Sequence, residues 1–253
     1  MKALRVLIPL LALSPLSAGA ATNETVQALD PKAIELLREW GSTRSVLQQF
    51  KVEVRDTMDD VTESGRKLQY SHRRRAIVSR PDRLRIESEG DLRNRTIYKD
   101  GTTVTIVDSD ENVYVRAPDP GTIDEMLDLM NSRHGVTVPL ADLISMDASE
   151  SLFANIQTAE YVGQHRVGEY ACHHLAFTQD TIDWQVWLDT DGGPRLRKMV
   201  ITYKLEDGAP QYTMWVTQFD VLDGAPDALF AFEPTPELKK IELRAKSDLP
   251  WVE

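Results

Sequence analysis

The densest cluster of potentially reactive side chains lies between Tyr170 and Met199. It holds Cys172, the only cysteine of the chain, the adjacent His173 and His174, Trp184, Trp187 and the acidic glycine-rich turn Asp191-Gly192-Gly193. Cys172 and His174 are two residues apart, so on a strand they share one face, while His173, Leu175 and Phe177 point to the other. Together with His165 across a turn they could furnish a metal site, but no further ligand follows at a recognisable spacing. A thiolate nucleophile needs a base and a lowered pKa, usually from a helix N-terminus or a cationic neighbour. Mid-strand placement offers no helix dipole, and no serine stands in a G-x-S-x-G elbow. The run Asp189-Thr190-Asp191-Gly192 imitates the start of a calcium loop without its closing glutamate, and reads as a polar hairpin turn. These residues therefore predict two strands and a turn, with no enzyme activity, metal or cofactor. A Cys172/His174/His165 site is kept as the weakest of three functional readings.

The elements that would position these residues follow from periodicity. Lys2 and Arg5, the apolar stretch from Val6 to Leu16 and the small residues Ala18-Gly19-Ala20 form a secretory signal over residues 1–20, too short in its apolar part to span a membrane. The expected location is the periplasm, without stable membrane insertion. The formal net charge of −11 becomes more acidic once Lys2 and Arg5 are removed, which argues against nucleic acid as a partner. A lone cysteine allows no internal disulfide, so stability rests on a core.

Asp30-Pro31 opens an amphipathic helix with Ile34, Leu37 and Trp40 on one face, ending at Gly41. Period-two alternation then predicts strands at 50–55, 68–72, 83–88, 95–99, 103–107 and 113–116. A helical insertion at about 121–157 follows. Its main helix, Thr122 to His134, carries a capping box, Thr122 with Glu125, and places Ile123, Met126, Leu127 and Met130 on one face. Residues 139–144 and 151–156 read as short helical turns. Strands resume at 160–162, turn through Gly163 to Gly168, and continue at 170–179, 183–189, 197–205 and 211–222. The basic run His72-Arg73-Arg74-Arg75 splits between two strand faces and should pair with neighbouring carboxylates. The sequons at Asn23 and Asn94 mean little in a bacterial host.

The element order predicts a fold that is mainly β with α (α+β): one highly curved antiparallel sheet over residues 21–253 with helices packed against its apolar face. Such a sheet under a Met- and Leu-bearing helix can enclose an apolar pocket with an adaptable lid. The candidate ligand-binding residues are Tyr98, Ile106, Tyr114, Phe177, Trp184, Trp187 and Trp215 on strands, with Met126, Leu127 and Met130 on the lid.

Cys172-His173-His174-Leu175-Ala176-Phe177, the W-x-D of Trp187 to Asp189, the P-R-x-x-K of Pro194 to Lys198 and the F-x-F-x-P of Phe230 to Pro234 resemble a family of predicted periplasmic proteins, a domain of unknown function. That family is similar to the LolA/LolB lipoprotein-carrier superfamily, and the resemblance runs from about Asp30 to about Leu243. It implies a half-open barrel that binds acyl chains or similar apolar ligands. The chain departs from the carrier in length and in its inserted segment. The leading expectation is a binding protein or chaperone for a lipid, acyl chain or lipidated protein. The second is a sensor or interaction module that docks on an envelope protein without lipid cargo.

Overall fold

In the computed structural model, residues 29–243 are described, apart from 137, 139, 147–152, 154 and 194. Residues 1–20, read as a signal, and residues 151, 152 and 154 of the predicted turn at 151–156 lie outside the described residues. Helix α1 spans Pro31–Ser45, with the Asp30 carboxylate accepting from the Lys32 and Ala33 amides and Pro31 in the first turn. Gly41 does not end it. The glycine sits on the buried face beside Leu37 and Trp40, and the helix continues for another turn.

Strands β1 (Gln49–Val61), β2 (Lys67–Ser79), β3 (Arg83–Gly90), β4 (Arg95–Asp100), β5 (Thr103–Asp108) and β6 (Val113–Pro118) form an antiparallel meander. Helices α2 (Ile123–His134) and α3 (Ala141–Ile144) follow, then β7 (Thr158–Val167), β8 (Tyr170–Thr178), β9 (Ile182–Asp189), β10 (Leu196–Tyr203), β11 (Gln211–Val221) and the two-residue β12 (Lys239–Lys240). All twelve strands join one sheet in the order β12-β6-β5-β4-β3-β2-β1-β11-β10-β9-β8-β7. Its end strands β7 and β12 do not meet, so the curled sheet stays open, and the helices fill its concave side.

The two halves are closed onto each other by β1 and β11, which are adjacent in the sheet but more than a hundred residues apart in sequence. Two predicted boundaries move. The predicted turn at 163–168 shrinks to Gly168 and Glu169: β7 runs on to Val167 with a bulge between Tyr161 and Gly163, where a φ of 139° suits glycine alone. β1 and β2 are each 13 residues long, well past the predicted 50–55 and 68–72. In β1 the added residues Asp56 to Asp60 are mostly polar, and in β2 the basic run Arg73-Arg74-Arg75 interrupts the apolar alternation before the buried Ala76 and Val78.

Helix α2 has the predicted capping box. The Thr122 hydroxyl accepts from the Glu125 amide and the Glu125 carboxylate accepts from the Thr122 amide, while Gly135 at φ 64° closes the C-terminus. Ile123, Met126, Leu127 and Met130 are buried against the sheet, in one continuous core with Leu37 and Trp40 of α1 and Phe177, Trp184 and Val186 of β8 and β9. Arg44 and Arg80 donate to the carbonyls of Ser145 and Ile144, which fastens α3 beneath α1.

The basic run of β2 splits between faces as predicted. Arg74 and His72 point to the concave side, where Arg74 binds Asp56 with two bonds, 2.8 and 3.1 Å. Arg73 and Arg75 share Glu53 on the convex side, and Arg75 also reaches Glu87 at 2.6 Å. Lys51 at 2.8 Å, followed by Arg73 and Arg75, holds the Glu53 carboxyl at about 2, against an ordinary value of 4.5. A carboxyl depressed by folding stabilises the native state above its unfolded pKa and loses that contribution as pH falls through the folded value. The urea midpoint should therefore fall between about pH 4.5 and 2, and less steeply in Glu53→Gln. Parallel acid profiles for the two proteins would show that Glu53 contributes nothing.

Candidate concave binding site

The register of the meander lines up side chains on the concave face in rungs. One rung is wholly apolar: Ala76, Ile86, Ile97, Ile106 and Val115 stand opposite one another across β2 to β6. The rung on one side of it is Arg74, Ser88, Arg95, Asp108 and Val113; the rung on the other side is Val78, Leu84, Lys99, Val104 and Ala117. Because side chains alternate between faces, residues two apart along each strand make this three-rung wall.

The wall bounds a cavity of about 820 Å³. Ile86, Ile97, Ile106, Val113 and Val115 supply its apolar surface, and Arg74, Ser88, Arg95 and Asp108 its polar side. The remaining walls come from other segments: Leu92 and Arg93 of the β3–β4 loop, Val136 just after α2, and Ile241 and Leu243 after β12. The C-terminal segment reaches this position by crossing the sheet edge. Phe232 packs on the convex face against Tyr98 and Tyr114, both ring centroids 5.4 Å away, after which β12 pairs in parallel with β6 and the chain arrives at the cavity.

The polar rung is internally satisfied in a graded way. Arg74 uses Nε and Nη2 on Asp56 and Nη1 on Ser88. Arg93 and Arg95 converge on a single oxygen, Asp108 Oδ2, at 3.1 and 3.0 Å. Burial alone would raise the Asp108 carboxyl; these arginines and the Glu111 amide hold it below the usual carboxylate range. For His72, burial and then the Arg74 charge push the imidazole below its ordinary value.

The ten candidate residues do not share this surface. Ile106 lines the cavity. Phe177 and Trp184 are cross-strand neighbours on the concave side of β8 and β9, stacked at 4.2 Å and fully buried in the core. Met126, Leu127 and Met130 are 0, 8 and 1 % exposed, a helix face packed on the sheet rather than a free lid over the cavity. Tyr98, Tyr114, Trp187 and Trp215 stand on the convex face, because each occupies the opposite strand parity from the rung residues. Of the aromatic candidates only Tyr98 and Tyr114 lie on strands that line the cavity, and both face away from it. The signal for the cavity was available in the series Arg74-Ala76-Val78, Ser88-Ile86-Leu84 and Asp108-Ile106-Val104, where apolar parity ends in a polar residue on the same face.

The cysteine and histidine cluster resolves on the convex side. Cys172 is buried with Trp187 and Val200, and burial, then the Asp189 carboxylate, push its thiol up. His174 lies flat on Trp187 at 4.0 Å, meets His165 through Nδ1 at 3.1 Å and Gln185 through Nε2 at 2.9 Å. The Lys198 ammonium also lies over the Trp187 ring, 4.5 Å from its centroid. Asp189 binds Arg197, whose guanidinium stacks 3.5 Å from the Tyr170 ring. The conspicuous motifs thus form a convex-face latch between β8, β9 and β10. Among the described residues no group of three metal-ligating side chains converges, and no helix is long and apolar enough to cross a membrane.

The site is thus an open curled sheet with helices on its concave side and a cavity against the β2–β6 part of that face. The chain belongs to the family of predicted periplasmic proteins DUF2092, whose pattern matches residues 33–244. Among solved structures it is similar to LprF from Mycobacterium bovis, at 12 % identity and a TM-score of 0.49 over 79 % of this chain and 98 % of that one. It is also similar to the Mycobacterium tuberculosis lipoprotein LppX, at 14 % identity and 0.44 over 77 % and 98 %. A LolA superfamily protein from Nitrosomonas europaea aligns at 11 % identity and 0.37 over 79 % and 97 %. None of the curated proteins matches the sequence.

Proposed function

We propose that the protein is a periplasmic binding protein that holds a lipid, an acyl chain or the acyl part of a lipidated protein in its concave cavity and does no chemistry on it. The apolar rung Ile86, Ile97, Ile106 and Val115, set in a cavity of about 820 Å³, is the observation that carries this reading. Pockets of roughly 300–1,000 Å³ hold one small ligand, so the cavity suits an acyl portion rather than a folded partner. Each buried methylene contributes about 0.8 kcal/mol, and a long chain gives enough free energy to offset the cost of ordering it. In this reading Ile106 touches the ligand, whereas Phe177, Trp184, Met126, Leu127 and Met130 stiffen the wall behind it.

Native mass spectrometry of protein purified from a bacterial periplasm, followed by organic extraction and lipid analysis, tests the proposal. Co-purifying acyl lipid is expected. A clean apo mass, with no uptake of added fatty acid or lipopeptide, would overturn it in favour of a docking module. Because Cys172 and His174 lie on the opposite face of the sheet and neither lines the cavity, Cys172→Ala and His174→Ala are expected to bind fatty acid within about twofold of the parent protein, whatever they cost in stability. Loss of binding in either would reopen a role for the convex cluster.

A further inference from the structure

We propose that the polar side of the cavity recognises a monoanionic oxyanion head group, a carboxylate or phosphodiester carried on the apolar tail, through Arg93 and Arg95. The inference rests on the binding reading above and names the ligand class for it. Three arginines line the cavity, and they are not equivalent. Arg74 is committed, with three of its nitrogens bonded to Asp56 and Ser88. Arg93 and Arg95 each make one side-chain bond, and both end on the same Asp108 oxygen. The second Asp108 oxygen accepts from the Glu111 amide.

A guanidinium carries five N–H donors in a planar fork. Arg93 and Arg95, with side chains 53 and 47 % exposed, therefore keep donors free at the opening while Asp108 fixes where they stand. Both guanidinium groups bond the same Asp108 oxygen, so two cations share one hydrogen-bonded acceptor and their remaining donors are left for an incoming oxyanion. Glu111, the other acidic residue lining the cavity, and Asp110, held by the Asn94 amide and side chain, oppose any larger negative charge. That balance selects a monoanion against a polyanion. The geometry also fits an amphiphile, because Arg95 is followed two residues on by Ile97, and Asp108 preceded by Ile106, on the same face. A head group at the arginines places its tail on the apolar rung.

The test uses the full mature protein and chain-matched probes: hexadecanoate, hexadecanol, lysophosphatidylglycerol and inorganic phosphate alone. The parent should prefer hexadecanoate and lysophosphatidylglycerol to hexadecanol by about tenfold or more, the worth of a charge-assisted hydrogen bond, and added salt should shrink the preference. Arg93→Gln/Arg95→Gln should lose that preference while binding hexadecanol as before. Arg93→Gln alone, in the β3–β4 loop, should lose part of it and guards against a folding defect in the double variant. Equal affinity for acid and alcohol in the parent, or a double variant that keeps the preference, overturns the head-group assignment and leaves the cavity reading standing. Inorganic phosphate binding as tightly as the amphiphiles makes this a free-anion site and also overturns it. Failure of every amphiphile to bind overturns the cavity reading and this inference with it.

Discussion

Asp119→Ala is expected to destabilise the protein by about 3–5 kcal/mol, the cost of leaving a buried charge without its partner. Lys99 is 0 % exposed on the concave face of β4, level with Leu84 and Val104. Its ammonium lies 3.2 Å from Asp119 Oδ1 and 2.9 Å from the Asp119 carbonyl oxygen. The same carboxylate oxygen accepts from the Gly121 amide, so it also shapes the chain entering α2. Removing the carboxylate leaves the ammonium with one neutral acceptor in an apolar layer. For a chain of this size the loss corresponds to a fall in melting temperature on the order of 10 °C. Adding Lys99→Met should recover much of it, because an apolar side chain of similar length needs no partner. Urea unfolding of the single and double variants measures both. A change under about 1 kcal/mol in Asp119→Ala would mean that the Lys99 ammonium is satisfied by the carbonyl alone.

Ile106→Trp is expected to weaken acyl-chain binding by about a hundredfold or more with little effect on stability. Ile106 stands in the apolar rung between Ile97 and Val115, and its side chain faces the cavity of about 820 Å³. Enlarging a residue in a packed core forces strain of about 1–3 kcal/mol, but here the added ring enters open space. Each methylene it displaces removes about 0.8 kcal/mol of burial, so losing three or four accounts for the expected factor. Titration of a fluorescent fatty acid into parent and variant, with thermal melts of both, reads the two effects separately. Unchanged affinity with an unchanged melt would place the ligand elsewhere, with the smaller cavity of about 540 Å³ between α1 and β11, lined by Trp40, Leu47, Val52 and Phe219, as the next candidate.

The sequence made much of the architecture legible. Strand period and turn residues located eleven of the twelve strands in outline, because the alternation of a half-buried sheet is a local signal. Thr122 and Glu125 announced α2, and the Arg run of β2 announced its carboxylate partners, since both depend on neighbours close in the chain or in an adjacent hairpin. Gly41 and Gly163 misled for one reason: glycine breaks an element in isolation but serves inside one where a helix packs on its buried face or a strand bulges. The two-residue β12 carried too few residues for any period.

The candidate site was less legible. Its aromatic residues were assigned by type, and type does not fix strand parity: Tyr98 and Tyr114 serve as convex anchors for Phe232, and Trp187 as the platform for His174 and Lys198. What the sequence determined by itself was the eleven longer strands in outline, the caps of α1 and α2, the acidic net charge and the family, all functions of residues read in order. Which side chains share the cavity was decided only by tertiary structure. The rung Ala76, Ile86, Ile97, Ile106 and Val115 exists through the register of four hairpins, and a shift of one residue in any of them would turn its side chains to the other face. Arg93, Arg95 and Asp108 meet for the same reason: their convergence belongs to the paired sheet and to no single segment of the chain.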